Sequence, residues 1–291
     1  MKSTHTKNRF ITLLTTLLLI SISCTTTPAF ADSNNPTFRS LTNAKSYYSQ
    51  EFLAHQSPIT FQLITDSSSG NKLYKNILNS PFAEKATNFN LVGDYNKYSI
   101  YSNVKVEYSC RNYYGKYRYA FTFIPYYKTT VEQENEFNVE LKNVMASLNL
   151  TKKTPYERVK SIYDYICTNV SYDNEHPDDY DLKYTAYSAL INKKAVCQGY
   201  ACLFYIMCKE ANIPARIIAG YGQNQKHAWN IVKLDDYYYN IDATWGSAND
   251  PKNYFLISDD NFLDHHRYKS FRTKSFNRIH PMATNDYQIP L

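Results

Sequence analysis

The 291-residue chain is predicted to be α+β and to fold in two parts. Three observations carry this reading. Residues 59–64 (Ile-Thr-Phe-Gln-Leu-Ile) alternate with the period of a strand. Val159, Ile162, Tyr163, Ile166 and Val170 recur at the spacing of one helix face. Between such segments, Thr151-Lys152-Lys153-Thr154-Pro155 is a short polar break, and it places a boundary near residue 151.

Residues 1–31 read as a secretory leader. Lys2, Lys7 and Arg9 precede an apolar run over residues 10–22, and Ala29-Phe30-Ala31 offers a small-x-small cleavage site. The run is short for a membrane span. Cys24 raises the alternative of an acylated lipoprotein, against which Ser21 stands where a large aliphatic residue is expected. The leader holds those three cations and no acid, so its removal takes the formal charge from +6 to +3. A mildly basic chain suits an anionic cell surface and gives no reason to expect a nucleic-acid partner. No later apolar run is long enough to cross a membrane, so the mature chain is expected to have no transmembrane segment.

The first part, residues 32–150, is expected as a small α+β module. After an unstructured stretch over 32–37 come a helix over 41–54, the strand over 59–64, a loop at Ser67-Ser68-Ser69-Gly70 and a helix over 71–86. Strands over 98–108 and 117–126 follow, with turn material at 112–115, and then a helix over 131–148. Nothing in it forms a catalytic constellation. The 29 tyrosines are read as core-filling rings with a polar handle.

The second part, residues 151–291, opens on a capping box: Thr154 at the N-cap, Pro155 at the first helical position and Glu157 three residues on. The acidic stretch from Asp173 through Glu175, Asp178 and Asp179 to Asp181 lacks the spacing and glycine of a calcium loop and reads as a solvated rim. Asp264-His265-His266 suggests a metal only weakly, since adjacent histidines point apart; a polar helix end over 258–267 is expected there. No metal and no cofactor is expected.

Five cysteines remain after the leader: Cys110, Cys167, Cys197, Cys202 and Cys208. Five is odd, no pair has zinc spacing, and a reactive thiol among buried ones fits better than a disulfide framework. Cys197 is the candidate. A turn-like Asn192-Lys193-Lys194 precedes it and an apolar face of Tyr200, Phe204, Met207, Cys208 and Ala211 follows, so it heads a helix. There the unpaired N–H groups and the dipole favour a thiolate and can hold an oxyanion. By itself this leaves a small core cysteine equally open. The next elements decide between them. Residues 216–220 and 227–232 read as strands, Asp235-Asp236 as a turn, and 237–242 as the returning strand. With a two-residue turn Leu234 faces Tyr237, so Trp229 faces Asp242. His227 shares the face of Trp229, which makes His227 and Asp242 diagonal neighbours. A thiol, a base and an orienting acid in this arrangement fit nucleophilic catalysis.

These segments resemble the transglutaminase-like superfamily, which shares its Cys-His-Asp order with papain-type enzymes. The matching stretches are Tyr184-Thr185-Ala186-Tyr187-Ser188-Ala189-Leu190, Ala195-Val196-Cys197-Gln198-Gly199-Tyr200-Ala201, Ile213-Pro214-Ala215-Arg216, His227-Ala228-Trp229-Asn230 and Asn240-Ile241-Asp242-Ala243-Thr244-Trp245. They cover roughly residues 154–265, while the upstream part is only loosely similar to extensions of secreted bacterial members. The resemblance implies a papain-like core: a helix carrying the cysteine, packed on an antiparallel sheet carrying histidine and aspartate. It implies Cys197 as nucleophile, His227 as general base and acid, and Asp242 as orienting carboxylate. The implied reaction is acyl transfer: attack on a protein glutamine amide, a thioester, and resolution by a lysine amine or water. Protein or peptide substrates, at the cell surface or wall, are the expected partners. A second oxyanion donor is needed, and Tyr187 and Trp229 are candidates. The rivals are a peptidase or amidase of the same fold, and a non-catalytic surface-binding protein that uses the fold as scaffold.

Overall fold

The computed structural model describes residues 35–82 and 93–289. The leader reading therefore lies outside the described residues. The first part contains β1 (Thr37–Phe38), α1 (Leu41–Leu53), β2 (Ile59–Thr65), α2 (Gly70–Leu78), the short α3 (Gly93–Tyr95), β3 (Tyr101–Tyr113), β4 (Lys116–Tyr127) and α4 (Val131–Ser147). Its sheet runs β1-β2-β4-β3, antiparallel except that β1 joins β2 in parallel. Two elements differ from expectation. The helix expected over 71–86 stops at Leu78, because Asn79 caps it and Pro81 enters a tight turn that cannot continue an α-helix. The strand expected over 98–108 starts later, after a wide helical turn at Asn96–Ile100, and runs on to Tyr113. It can run on because the hairpin turn narrows to Tyr114 (φ 47°) and Gly115 (φ 77°), the left-handed pair that suits a two-residue connection.

The second part contains α5 (Pro155–Asn169), β5 (Ser171–Tyr172), α6 (Ala186–Leu190), β6 (Lys194–Ala195), α7 (Cys197–Glu210), β7 (Ala215–Gly222), β8 (Gln225–Leu234), β9 (Tyr237–Ile241), α8 (Ala243–Ala248), β10 (Phe255–Ile257), β11 (His265–Arg267) and α9 (Lys274–Ile279). The Thr154–Glu157 capping box forms with both reciprocal bonds, and the five apolar positions that follow are all buried. The sheet is antiparallel throughout, in the order β10-β9-β8-β7-β11. α7 lies against β7 and β8 on one side and α5, α6 and α8 on others. Every residue from Cys197 to Cys208 is buried, so α7 is a central helix and not the one-faced helix its spacing suggests.

One hydrophobic cluster runs from Ala44 on α1 through α7 to Ala283, across both sheets. Six of its largest fully buried side chains are tyrosines: Tyr48, Tyr74, Tyr119, Tyr163, Tyr200 and Tyr205. The core-filling reading of tyrosine therefore holds. Polar ties cross the same seam. Arg216 on β7 pairs with both oxygens of buried Asp94, at 2.7 and 3.1 Å, and the Ile217 N–H donates to Asp94 at 2.9 Å. Gln198, next to Cys197, donates to the Tyr98 carbonyl at 2.6 Å, and Ser99 Oγ accepts from the Ala186 N–H at 2.9 Å.

β11 reaches the sheet only because Gly220 lets it approach. A Cβ at Gly220 would lie 2.1 Å from the His266 carbonyl oxygen and 2.8 Å from the Trp229 ring. Backbone cannot yield as a side-chain tip can. Gly220→Ala is expected to cost about 2–3 kcal/mol by overpacking. Thermal unfolding of the purified variant checks this as a lowered Tm.

Candidate active site

α7 begins at Cys197 because Val196 is extended (φ −90°, ψ 175°) and its carbonyl accepts from the N–H groups of Gly199 (2.8 Å) and Tyr200 (3.2 Å). No side chain caps this end. Cys197 therefore sits in the first turn, where N–H groups without helical partners favour an anion.

The β8–β9 hairpin supplies the partner groups. Its register is the one a two-residue turn imposes, Leu234 opposite Tyr237 and Asn230 opposite Ile241. That register carries Asp242, one residue beyond β9, alongside His227. His227 Nε2 lies 2.6 Å from Asp242 Oδ2, with both side chains buried. His227 also lies beside Cys197, whose sulfur acts on its charge. With Nε2 taken by Asp242, Nδ1 is the nitrogen left for the thiol. The ring is stacked on Trp245 at 5.0 Å, which fixes its plane. Asp242 doubles as the N-cap of α8: its Oδ1 accepts from the N–H groups of Thr244 (2.9 Å) and Trp245 (3.1 Å). The structure thus brings Cys197, His227 and Asp242 together.

Burial opposes charge on His227, but the Asp242 carboxylate, its hydrogen bond and the Cys197 sulfur outweigh it and push the pKa up to about 10. Burial likewise opposes charge on Asp242, and His227 and His265 outweigh it, holding the carboxyl well below the usual carboxylate range. The consequence for stability follows from the signs. The raised His227 pKa contributes stability that is full below pH 6.5, its ordinary value, and is lost as pH rises through about 10. The depressed Asp242 contributes stability that is full above 3.8 and is lost as pH falls through its lowered folded value. Denaturant midpoints measured against pH should therefore show this pair's contribution whole between pH 3.8 and 6.5. They should show both limbs flattened in Asp242→Asn.

The other described cysteines are also free. Burial pushes Cys167 up to about 12, and drives Cys202 and Cys208 upward as well, which suits inert core thiols. Cys110 is exposed on β3, far along the chain from any base at the site.

Three expectations are corrected. Trp229 has a single N–H, and it donates to Asn240 Oδ1 at 3.1 Å. The Tyr187 hydroxyl donates to Glu136 at 2.7 Å. Both candidates for the second oxyanion donor are thus engaged elsewhere. The helix end expected over 258–267 is instead the strand β11, paired to β7 with His265 opposite Gly222. Strand alternation turns His265 inward and His266 out. His265 is the residue that sequence reasoning missed: its Nε2 lies 3.1 Å from Asp242 Oδ2. The local signal was present in the His-His pair, but only pairing with β7 makes it a strand. The acidic stretch over 173–181 is largely neutralised: Asp173 is buried and binds His176, Asp178 pairs with Lys183, and Glu175 pairs with Lys194.

Among the described residues, the one group with metal-ligand geometry is His227, Asp242 and His265, whose donor atoms lie within 4.8 Å of one another. Its hydrogen bonds already close it. His227 also lines a cleft of 430 Å³ with Tyr172, Gln225, Lys226, Trp245 and Tyr254.

Residues 142–243 match the family model of the transglutaminase-like superfamily. This segment belongs to that superfamily. The α+β transglutaminase-like core is the cysteine-bearing helix α7 against an antiparallel sheet whose β8 carries histidine and whose β9 leads into aspartate. The kyphoscoliosis peptidase of Mus musculus is 31% identical to this chain over 142 residues, which is 43% of this chain and 22% of that protein. The kyphoscoliosis peptidase of Homo sapiens is 31% identical over 121 residues, 37% of this chain and 18% of that protein. The chain thus spans about a fifth of the length of these curated relatives. Among solved structures, a transglutaminase overlaps 73% of this chain and 59% of its own, at 15% identity and a TM-score of 0.36. The periplasmic domain of TgpA from Pseudomonas aeruginosa overlaps 52% and 59%, at 16% identity and a TM-score of 0.32. No helix among the described residues is long and apolar enough to cross a membrane.

Proposed function

We propose that this protein is a secreted thiol acyltransferase of transglutaminase type, with Cys197 as nucleophile, His227 as general base and acid, and Asp242 as the orienting carboxylate. The observation that carries the proposal is His227 itself, held at 2.6 Å by Asp242 and set beside the Cys197 sulfur at the head of α7. His227 takes the thiol proton and the Cys197 sulfur attacks the amide carbon, for which the side chain of a protein glutamine is the proposed source. The oxyanion is held by backbone N–H groups at the helix start, that of Cys197 among them. His227 returns the proton to the leaving amine as the C–N bond breaks, and a thioester remains. A lysine amine, deprotonated by His227, then resolves it to an isopeptide bond, or water resolves it to an acid.

The similarity to the kyphoscoliosis peptidases supports a second reading, in which the same groups cleave a backbone amide. The leader pattern over residues 1–31 supports action outside the cell, with residues 32–150 as a supporting module and 151–291 as the catalytic part.

The test uses residues 32–291 with a glutamine-containing protein and a labelled primary amine, beside Cys197→Ala. Label incorporation by the parent alone is the expected result. Ammonia release or peptide cleavage that depends on Cys197, without incorporation, supports hydrolysis instead. Silence in all three assays overturns the enzyme reading and leaves the surface-binding protein.

A further inference from the structure

His265 stands on the outermost strand of the sheet, 23 residues beyond Asp242, and its side chain is fully buried. The ring stacks on Phe262 at 4.0 Å and rests against Trp245 at 4.4 Å and Trp229 at 5.0 Å. Each of its nitrogens meets a carboxylate: Nε2 meets Asp242 Oδ2 at 3.1 Å, and Nδ1 meets Asp264 Oδ1 at 2.7 Å. Carboxylate oxygens only accept. With its proton on Nε2, the ring therefore donates to Asp242 Oδ2. Asp264 is partly exposed, and its other oxygen accepts from the Tyr254 hydroxyl on the cleft wall at 3.4 Å.

The count around Asp242 shows what this does. Oδ1 holds two backbone N–H groups, and Oδ2 holds His227 and His265. Without His265, one lone-pair direction of Oδ2 would be empty in a site closed to water, and the carboxylate would be free to tilt away from His227. A tilt there moves the imidazole plane and with it the nitrogen that faces Cys197.

We propose that His265 is a positioning residue for the Cys197 reaction, clamping the Asp242 carboxylate and tying it through Asp264 to the wall of the cleft. This rests on the reading of Cys197 as nucleophile. The groups that face His265 are Asp242 at the start of α8, His227 on β8, Asp264 on its own approach and Tyr254, with Trp245, Trp229 and Phe262 packed around the ring.

The experiment measures the alkylation rate of Cys197 by iodoacetamide at pH 6.5 and pH 9.5, with the label located by mass spectrometry so that exposed Cys110 does not contribute. At pH 6.5 a thiolate persists only beside a well-placed imidazolium, whereas near pH 9.5 it forms regardless. His265→Phe keeps an aromatic ring and its stacking and loses both ring nitrogens. Its ratio of the pH 6.5 rate to the pH 9.5 rate is expected to fall about tenfold. Its kcat per titratable thiol should fall up to about 100-fold with KM little changed, the cost of a misplaced reacting group. Unfolded molecules expose Cys197 and react as free cysteine, so rates are read on the folded fraction isolated by native chromatography, where a role in folding alone leaves the ratio unmoved. His265→Gln, whose amide reaches the Nε2 position, is expected to restore most of the ratio; His265→Asn, which reaches only the Nδ1 position, is not. That pair decides the matter if His265→Phe does not fold. A parent thiol reactive at pH 6.5 with an unchanged ratio in the variants overturns the His265 assignment alone. A parent thiol that alkylates like free cysteine overturns the nucleophile reading and this assignment with it.

Discussion

Asp242→Asn is expected to lower kcat by about four orders of magnitude, the loss that follows when an orienting carboxylate no longer selects the histidine tautomer. The geometry makes the amide a poor substitute in either orientation. With its oxygen on the N–H groups of Thr244 and Trp245, its NH₂ faces the ring nitrogens of His227 and His265. His227 must then carry its proton on the nitrogen that faces Cys197, where it can no longer accept one. With the amide flipped, its NH₂ meets two backbone N–H groups and the cap of α8 is lost. Steady-state kinetics, normalised to thiol titrated by an alkylating probe, separate this from unfolding. A variant within tenfold of the parent would remove Asp242 from the mechanism.

Asp94→Ala is expected to have the largest effect on stability of any single change away from the site, about 3 kcal/mol or more. Asp94 is buried, meets the Arg216 guanidinium with both oxygens and takes the Ile217 N–H as well. Removing one partner of such a pair leaves the other charge in a poorly hydrated place, which costs far more than the pair itself contributes. The effect should reach the site. Arg216 and Ile217 start β7, which pairs with β8 in a register that sets Gly220 opposite His227. Urea denaturation gives the loss of stability. Activity in the remaining folded fraction should also decline, as the strand that backs His227 loosens. An unchanged midpoint would mean that the seam between the two sheets does not depend on this pair.

Much of the site was legible because its geometry is local. The Thr154 capping box needs three residues of context, and a two-residue turn fixes the β8–β9 register for as far as the strands run. That is why the neighbourhood of His227 and Asp242 could be read from alternation alone. The head of α7 was legible from the turn before it and the apolar spacing after it. The limits of local reading are equally specific. The helix expected over 71–86 ends early, where Asn79 caps α2 and Pro81 cannot continue it. Tyr187 and Trp229 were assigned by residue type, and a type does not show which acceptor a donor has found. Those acceptors are Glu136, 51 positions from Tyr187, and Asn240, on the strand next to Trp229.

The sequence by itself determined the α+β class, the helix headed by Cys197 and the pairing of His227 with Asp242, because each follows from hydrogen-bond periodicity over a few residues. Only the tertiary structure decided that α7 is buried on every side, that Asp94 reaches Arg216 across 122 residues, and that His265 closes on Asp242. The physical reason is common to the last two. Two polar groups buried far apart in the chain are compelled to meet because neither can be left without a partner. Which ones meet depends on how the strands and helices stack, and no local pattern records that.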